Sequence, residues 1–335
     1  MTVSVIIPVY NVAEIVDRAI RSALDQTVKP LEIIVVDDRS TDDTIAVVKK
    51  IDSPLVRVVS APSNRGPAAA RNLGIAKAKG DWIALLDADD AWLPERLERL
   101  LAVGESGAAD FVADNIVLWD LVAGKQVRVA IDDLEPAQEI TATDLFEHDH
   151  DFEFRIFSWG LLKPILRKSF LDSKGLRYEQ TMRSGEDFTL YAEMLLSGAK
   201  AFLISDAYYL YSLPSAPSGR SPHSRSKHDF SVVIAMSDVL REKYKDRIDA
   251  RLAAAMARRR KTWTLIHEAN VARGYRRSNL AQYAWYVGTK PDLVRALFGR
   301  VLGRAQDRLR LSTRQPRAPS TAQRLALLQS RRTLV

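Results

Sequence analysis

The sequence of 335 residues predicts an α/β fold with a mostly parallel, doubly wound central sheet, helices on both faces, and a C-terminal helical region. Three observations carry that prediction. Continuous apolar runs alternate with helical periodicity through the first 120 residues, polar side chains gather directly behind each apolar run, and the charge changes sign toward the C-terminus.

Strands covered by helices on both faces read as unbroken apolar runs rather than as strict alternation. In order, VSVIIPVY is a strand, AEIVDRAIRSALDQ a helix, LEIIVVDD a strand, DDTIAVVKKI a helix and VRVVSAP a strand. Next come the helix PAAARNLGIAKAKG, with Pro67 in its first turn and Gly80 past its end, the strand WIALLDAD and the helix PERLERLLA. DFVADNIVLWD at 110–120 predicts another strand, and KQVRVAI an antiparallel addition to it. After a mixed stretch from Thr141, GEDFTLYAEMLLSGAK predicts a helix and AFLISDAYYLYSL a strand. PSAPSGRSPHSRSK at 214–227 reads as a mobile loop. Helices are expected at roughly 229–245, 249–272, 278–288 and 291–311, with a flexible tail after Ser312.

The absence of cysteine excludes a disulfide framework, a thiolate zinc site and cysteine nucleophiles. Met1 leads straight into VSVIIPVY, so no secretion signal is read, and nowhere do about 18 apolar residues run together. A cytoplasmic chain is expected, peripheral on the inner face of the membrane if attached there. The net charge of +7 hides an asymmetry: from Arg251 onward 19 Lys and Arg stand against 3 Asp and Glu, a net of +16, leaving 30 against 39, a net of −9. RRRK, RGYRR and PDLVRALFGRVLGRAQDRLR interleave cations with apolar residues at helical spacing, the pattern of a helix on an anionic membrane surface. The acidic remainder and the lack of a nucleic-acid motif disfavour nucleic acid as the partner.

The polar clusters carry the chemistry. Asp37 and Asp38 end the second strand, where a carboxylate can accept hydrogen bonds from a base or ribose, whereas Asp42 and Asp43 are expected to cap the next helix. No GxGxxG follows the first strand, which argues against a dinucleotide fingerprint. Tyr10 there can offer a face to a base or simply pack. Asp87, Asp89 and Asp90 crowd the end of the fourth run; two carboxylates one residue apart can hold a hard divalent cation that also takes phosphate oxygens, relieving their repulsion. Asp90 is expected to cap the following turn. Arg71, one turn into a helix, suits an anionic diphosphate.

Together VSVIIPVYN, IIVVDDRSTDDT, NRGPAAARNLG, GDWIALLDADD and SGEDFTL resemble, in order and spacing over about 190 residues, the family 2 glycosyltransferases, enzymes of GT-A fold that use nucleotide-activated sugars. The resemblance implies that Pro8, Tyr10 and Asp38 hold the nucleoside with Asp37 beside them, and that Arg71 approaches the diphosphate. Asp87 and Asp89 would form the metal and sugar-nucleotide motif, with Mg2+ or Mn2+. It further implies that Asp187 is the catalytic base, with Glu186 its acidic neighbour, and that transfer inverts the anomeric centre. Trp159 can shape the acceptor site or fill a core, and His223 can close over the diphosphate, complete the metal shell or stay solvated. GPAAARN and DFVADNIVLWD are similar to stretches of bacterial glucosyltransferases that extend lipid-linked repeat units of succinoglycan-type exopolysaccharides. The implied donor is UDP-glucose and the implied acceptor a saccharide, lipid-linked in that case. The expected division is a nucleotide-sugar-binding and catalytic domain at 1–230, a basic helical region at 231–312 and a tail at 313–335. A nucleotidyltransferase, disfavoured by the missing Gly-rich loop, and a non-catalytic nucleotide-sugar binder, which has no need of Asp187, are the rivals.

Overall fold

The computed structural model describes residues 1–152, 156–213 and 230–298. Among the described residues the chain forms two compact units, one of 1–142 with 160–213 and one of 143–159 with 230–298. The expected loop at 214–227 and tail at 313–335 lie outside the described residues.

The first unit is built on a ten-stranded sheet. β1 (Val3–Val9), β2 (Glu32–Asp37), β3 (Val56–Ser60) and β4 (Trp82–Leu85) run parallel in the order β3-β2-β1-β4. Their centre is apolar throughout, with Ile6, Ile7, Ile33, Ile34 and Ile83 shut off from solvent. α1 (Val16–Leu24), α2 (Thr44–Lys49) and α3 (Pro67–Lys77) make the crossovers. Because β2 lies on one side of β1 and β4 on the other, the strand order reverses at β1. Ligands of open α/β sheets sit outside the carboxyl ends of the strands at such a point.

Beyond β4 the sheet becomes mixed. β9 (Ile165–Arg167) is antiparallel to β4 and to β6 (Phe111–Asp120); β10 (Ala201–Leu213) is parallel to β6; and β5 (Ala91–Trp92) is antiparallel to β10. β7 (Lys125–Val129) pairs with β6, as the sequence predicts, and β8 (Ala137–Ile140) with β10. Ala91 and Trp92, which fall between the predicted strand and helix, are themselves strand; α4 (Arg96–Ser106) begins after them. α6 (Lys168–Lys174) and α7 (Glu186–Leu196) complete this unit.

The second unit holds α5 (Ala142–Glu147), α8 (Ser231–Lys243), α9 (Ala250–Ser278), α10 (Leu280–Gly288) and a helical run at 291–298. The segment 143–159 packs with these helices although sequence order places it before residue 230. A buried charge explains this: Asp149 accepts from Arg259 Nε at 2.7 Å, Trp263 Nε1 at 2.9 Å and Ser158 Oγ at 2.6 Å. A buried carboxylate is tolerated only when paired and hydrogen-bonded. Among the described residues no helix is long and apolar enough to cross a membrane.

Candidate active site

The carboxyl ends of β1, β2 and β4 deliver the predicted residues to one end of the first unit. Asp37, the last residue of β2, accepts from Ser40 N–H at 2.8 Å, and Asp38 accepts from Arg65 N–H at 3.0 Å and Gly66 N–H at 2.7 Å. Gly66 has φ +89°, a left-handed backbone that an L side chain adopts at a cost. Asp38 therefore braces the loop that enters α3. It also lines a hollow of about 300 Å³ with Ala61, Pro62, Arg65, Asn72 and Gln180. Pro8 and Tyr10, half-buried at the end of β1, do not line that hollow. Asp42, as expected, braces the start of α2, accepting from Thr44 N–H at 3.0 Å, while Asp43 makes no side-chain cap bond.

Asp87 stands two residues past β4 with both carboxylate oxygens held by cations. Arg71 Nη2 lies 2.8 Å from its Oδ1, and Lys163 Nζ lies 3.1 Å from its Oδ2. The same two cations reach α7: Arg71 Nη1 donates to Glu186 Oε1 at 2.9 Å and stands 3.6 Å from Asp187 Oδ1, and Lys163 donates to Asp187 Oδ2 at 2.6 Å. Asp87, Lys163, Asp187 and Arg71 thus form a closed ring with Glu186 attached to Arg71, and Arg71, Lys163 and Asp187 are all buried. Burial opposes every charge in it. Against that cost Lys163 and Arg71 hold the Asp87 carboxyl below the usual carboxylate range, and Asp187 and Asp87 hold the Lys163 ammonium well above the usual lysine range.

Local backbone puts Glu186 and Asp187 there. Gly185, at φ +77°, turns the chain into α7, so both carboxylates fall in the first turn, where the helix dipole favours anions. Asp187 Oδ1 is buried and makes no hydrogen bond.

Asp89 and Asp90 differ from Asp87 and from each other. Asp89 is exposed, and burial of part of its surroundings together with the Asp87 charge pushes its carboxyl up. Asp90 does not cap the following helix. Its carboxylate accepts from Tyr209 Oη at 2.7 Å and Ser212 N–H at 2.8 Å on β10, and the N-terminal flank of α4 is Glu95. The turn after β4 brings Asp90 against β10, where burial and then Asp89 and Asp87 push its carboxyl well above the usual range.

Among the described residues no cluster of three or more His, Cys, Asp or Glu side chains could hold a metal ion by itself. The donor set still fits one. Asp87 is neutralised by the chain's own cations, while Asp89 offers an exposed carboxylate that a cation would relieve. Mg2+ is commonly bound by one or two carboxylates, the rest of its shell being water and substrate phosphate.

Lys163 was not legible in sequence; a lone lysine before a proline carries no motif. Trp159 lies in the second unit, stacked on His148 with ring centroids 4.1 Å apart and 7° between planes, which is packing. His223 lies outside the described residues.

Residues 4–159 match the model of Glycosyl transferase family 2. The succinoglycan biosynthesis proteins ExoO and ExoU of Rhizobium meliloti are 36% and 39% identical to the chain over 216 and 211 residues, covering 62% of this chain and 60% of each relative. The matched region thus spans about 60% of those relatives' length. The crystal structure of S. aureus TarS 1-349 in complex with UDP-GlcNAc is 22% identical, covers 89% of this chain and 80% of that one, and superposes with a TM-score of 0.63, a likeness of fold. The reversed strand order, the aspartates behind β4 and the Gly-Glu-Asp turn into α7 thus stand in a chain whose residues 4–159 match glycosyl transferase family 2.

Proposed function

We propose that the chain transfers a sugar from a nucleoside-diphosphate donor, UDP-glucose, to a saccharide acceptor, a lipid-linked exopolysaccharide repeat unit, with Asp187 as general base and inversion at the anomeric carbon. The observation that carries this reading is the buried Asp187, whose Oδ2 is held by Lys163 and whose Oδ1 makes no hydrogen bond. In the reaction the acceptor oxygen attacks the anomeric carbon, the bond from that carbon to the diphosphate oxygen breaks, and the acceptor proton passes to Asp187 Oδ1. Arg71 keeps a positive charge beside the departing diphosphate. Asp89, with Asp87 adjoining, would hold a divalent cation, which would supply further neutralisation of that leaving group. The names of the relatives support an exopolysaccharide acceptor, and the UDP-GlcNAc complex of a protein of like fold supports a UDP donor. Glucose rests on the resemblance of the sequence motifs.

The second unit supports attachment to an anionic membrane surface. Leu280 and Trp285 of α10 and Phe298 are largely exposed, and so are Arg273, Arg276 and Arg295 in the same stretch of sequence.

The test is a screen of UDP- and GDP-sugars with Mn2+, scored by UDP or GDP release, on the parent and on Asp187→Asn. The variant is expected to bind UDP as the parent does and to turn over roughly 10²- to 10⁴-fold more slowly, the usual contribution of a positioned base. Transfer at the parent rate by Asp187→Asn would remove the mechanism.

A further inference from the structure

The ring that holds Asp187 contains one member that no motif explains. Lys163 Nζ lies between two carboxylates, 2.6 Å from Asp187 Oδ2 and 3.1 Å from Asp87 Oδ2, and the side chain is 4% exposed. The stretch that carries it is pinned on both sides. Tyr191 Oη donates to the Leu162 carbonyl at 2.9 Å, and the guanidinium of Arg96 donates to the carbonyl of Lys163 itself. Arg96 is in turn fixed by a bidentate pair with Asp114, at 2.7 and 3.1 Å, and lies over the rings of Trp92 and Tyr209. Two buried donors thus hold the backbone on either side of one ammonium group.

A structural role alone does not account for this. Burying ions costs more than burying apolar groups of the same volume, and buried ion networks are often replaceable by apolar residues without loss of stability. What the arrangement does provide is orientation. Lys163 fixes Asp187 Oδ2, which leaves Oδ1 as the oxygen free to take a proton, with Arg71 Nη1 beyond hydrogen-bond distance at 3.6 Å. The same ammonium holds Asp87, so the aspartate behind β4 and the base on α7 are registered against one atom.

We propose that Lys163 is a positioning residue of the transfer reaction, holding Asp187 by Oδ2 so that Oδ1 stays unbonded as the proton acceptor, and fixing that base relative to Asp87. This rests on Asp187 being the base. It acts through Asp187 and makes no bond in the reaction.

The experiment compares Lys163→Met and Lys163→Arg with the parent and with Asp187→Asn in the full chain, reading UDP binding with Mn2+ by calorimetry and turnover by UDP release from UDP-glucose. Lys163→Met is expected to bind UDP within about threefold of the parent and to lose about 100-fold in kcat, with KM for UDP-glucose little changed. Lys163→Arg, which keeps a charged donor, is expected to recover at least tenfold of that loss. Displaced groups typically cost this much when reacting atoms lose their alignment. If Lys163→Met keeps the parent kcat, or if Lys163→Arg is no better than Lys163→Met, the positioning role is wrong. Loss of UDP binding in Lys163→Met would also overturn it, making Lys163 a support of the donor site. If Asp187→Asn turns over like the parent, it is the assignment of the base that fails; if Asp187→Asn is inactive while Lys163→Met is active, only the role of Lys163 fails.

Discussion

Three aspartates follow β4 within four residues, and their neighbours divide the labour among them. Asp87 is held ionised by Arg71 and Lys163, Asp89 faces solvent, and Asp90 is buried against Tyr209 and Ser212. Asp90 has no cation on its carboxylate; two hydrogen-bond donors offset only part of what burial and its two acidic neighbours impose. A carboxyl held above its unfolded value of about 3.9 binds a proton in the folded chain that the unfolded chain releases, so stability falls as pH climbs from that value toward the raised folded one. Asp90→Asn keeps the shape and abolishes the titration. Its melting temperature relative to the parent is expected to improve from pH 5 to pH 8; a gap that stays constant or narrows would contradict the raised carboxyl. Sequence could show that these residues repel one another, but not which one turns inward. That depends on Tyr209 and Ser212, which lie more than 100 positions away and come to Asp90 only once β10 is in place.

Elements show the same boundary between what is local and what is not. The parallel strands and α3 were legible because apolar runs, Pro67 and helical spacing are local signals, and β10 was expected over its observed range of Ala201–Leu213. β5 was not, since two residues carry no period and are strand only through Tyr209 and Leu210 opposite them. β9 was missed for the same reason: Ile165–Arg167 is three residues long and owes its pairing to β4 and β6. The entry to α7 combines both kinds of information. Its Gly-Glu-Asp was visible as a motif, but the φ of +77° at Gly185 is a feature of the folded chain. Gly185→Ala places a Cβ on a left-handed backbone at a cost of roughly 1 to 2 kcal/mol. We expect a lower melting temperature and a fall in kcat exceeding any change in UDP affinity, because the first turn of α7 carries Asp187 while Asp38 and Asp87 are held by other elements. A destabilised variant with unchanged kcat would separate the turn from the placement of the base.

At the scale of the molecule the charge asymmetry becomes a statement about surfaces. α10 contains no charged residue, yet Leu280 and Trp285 are about 70% exposed on it, at 71% and 69%. Large apolar side chains left in water on a segment whose flanking sequence is rich in arginine fit an interfacial helix, with apolar groups entering the acyl boundary and arginines meeting anionic headgroups. Removing residues from 291 onward would be an ambiguous test, because Leu293 is wholly buried and its loss would damage the helical unit. Point substitutions avoid that. The full chain is expected to co-sediment with vesicles containing phosphatidylglycerol, to bind pure phosphatidylcholine vesicles weakly, and to lose most of its binding in 1 M salt, where the Debye length is about 3 Å. Leu280→Ser with Trp285→Ser should reduce binding to the anionic vesicles at least about tenfold, as burial of either side chain contributes roughly 1.5 to 3 kcal/mol, while UDP release from UDP-glucose in the absence of vesicles stays at the parent rate. Equal binding to both vesicle types, or binding unmoved by the double substitution, would show that this face does not meet a membrane.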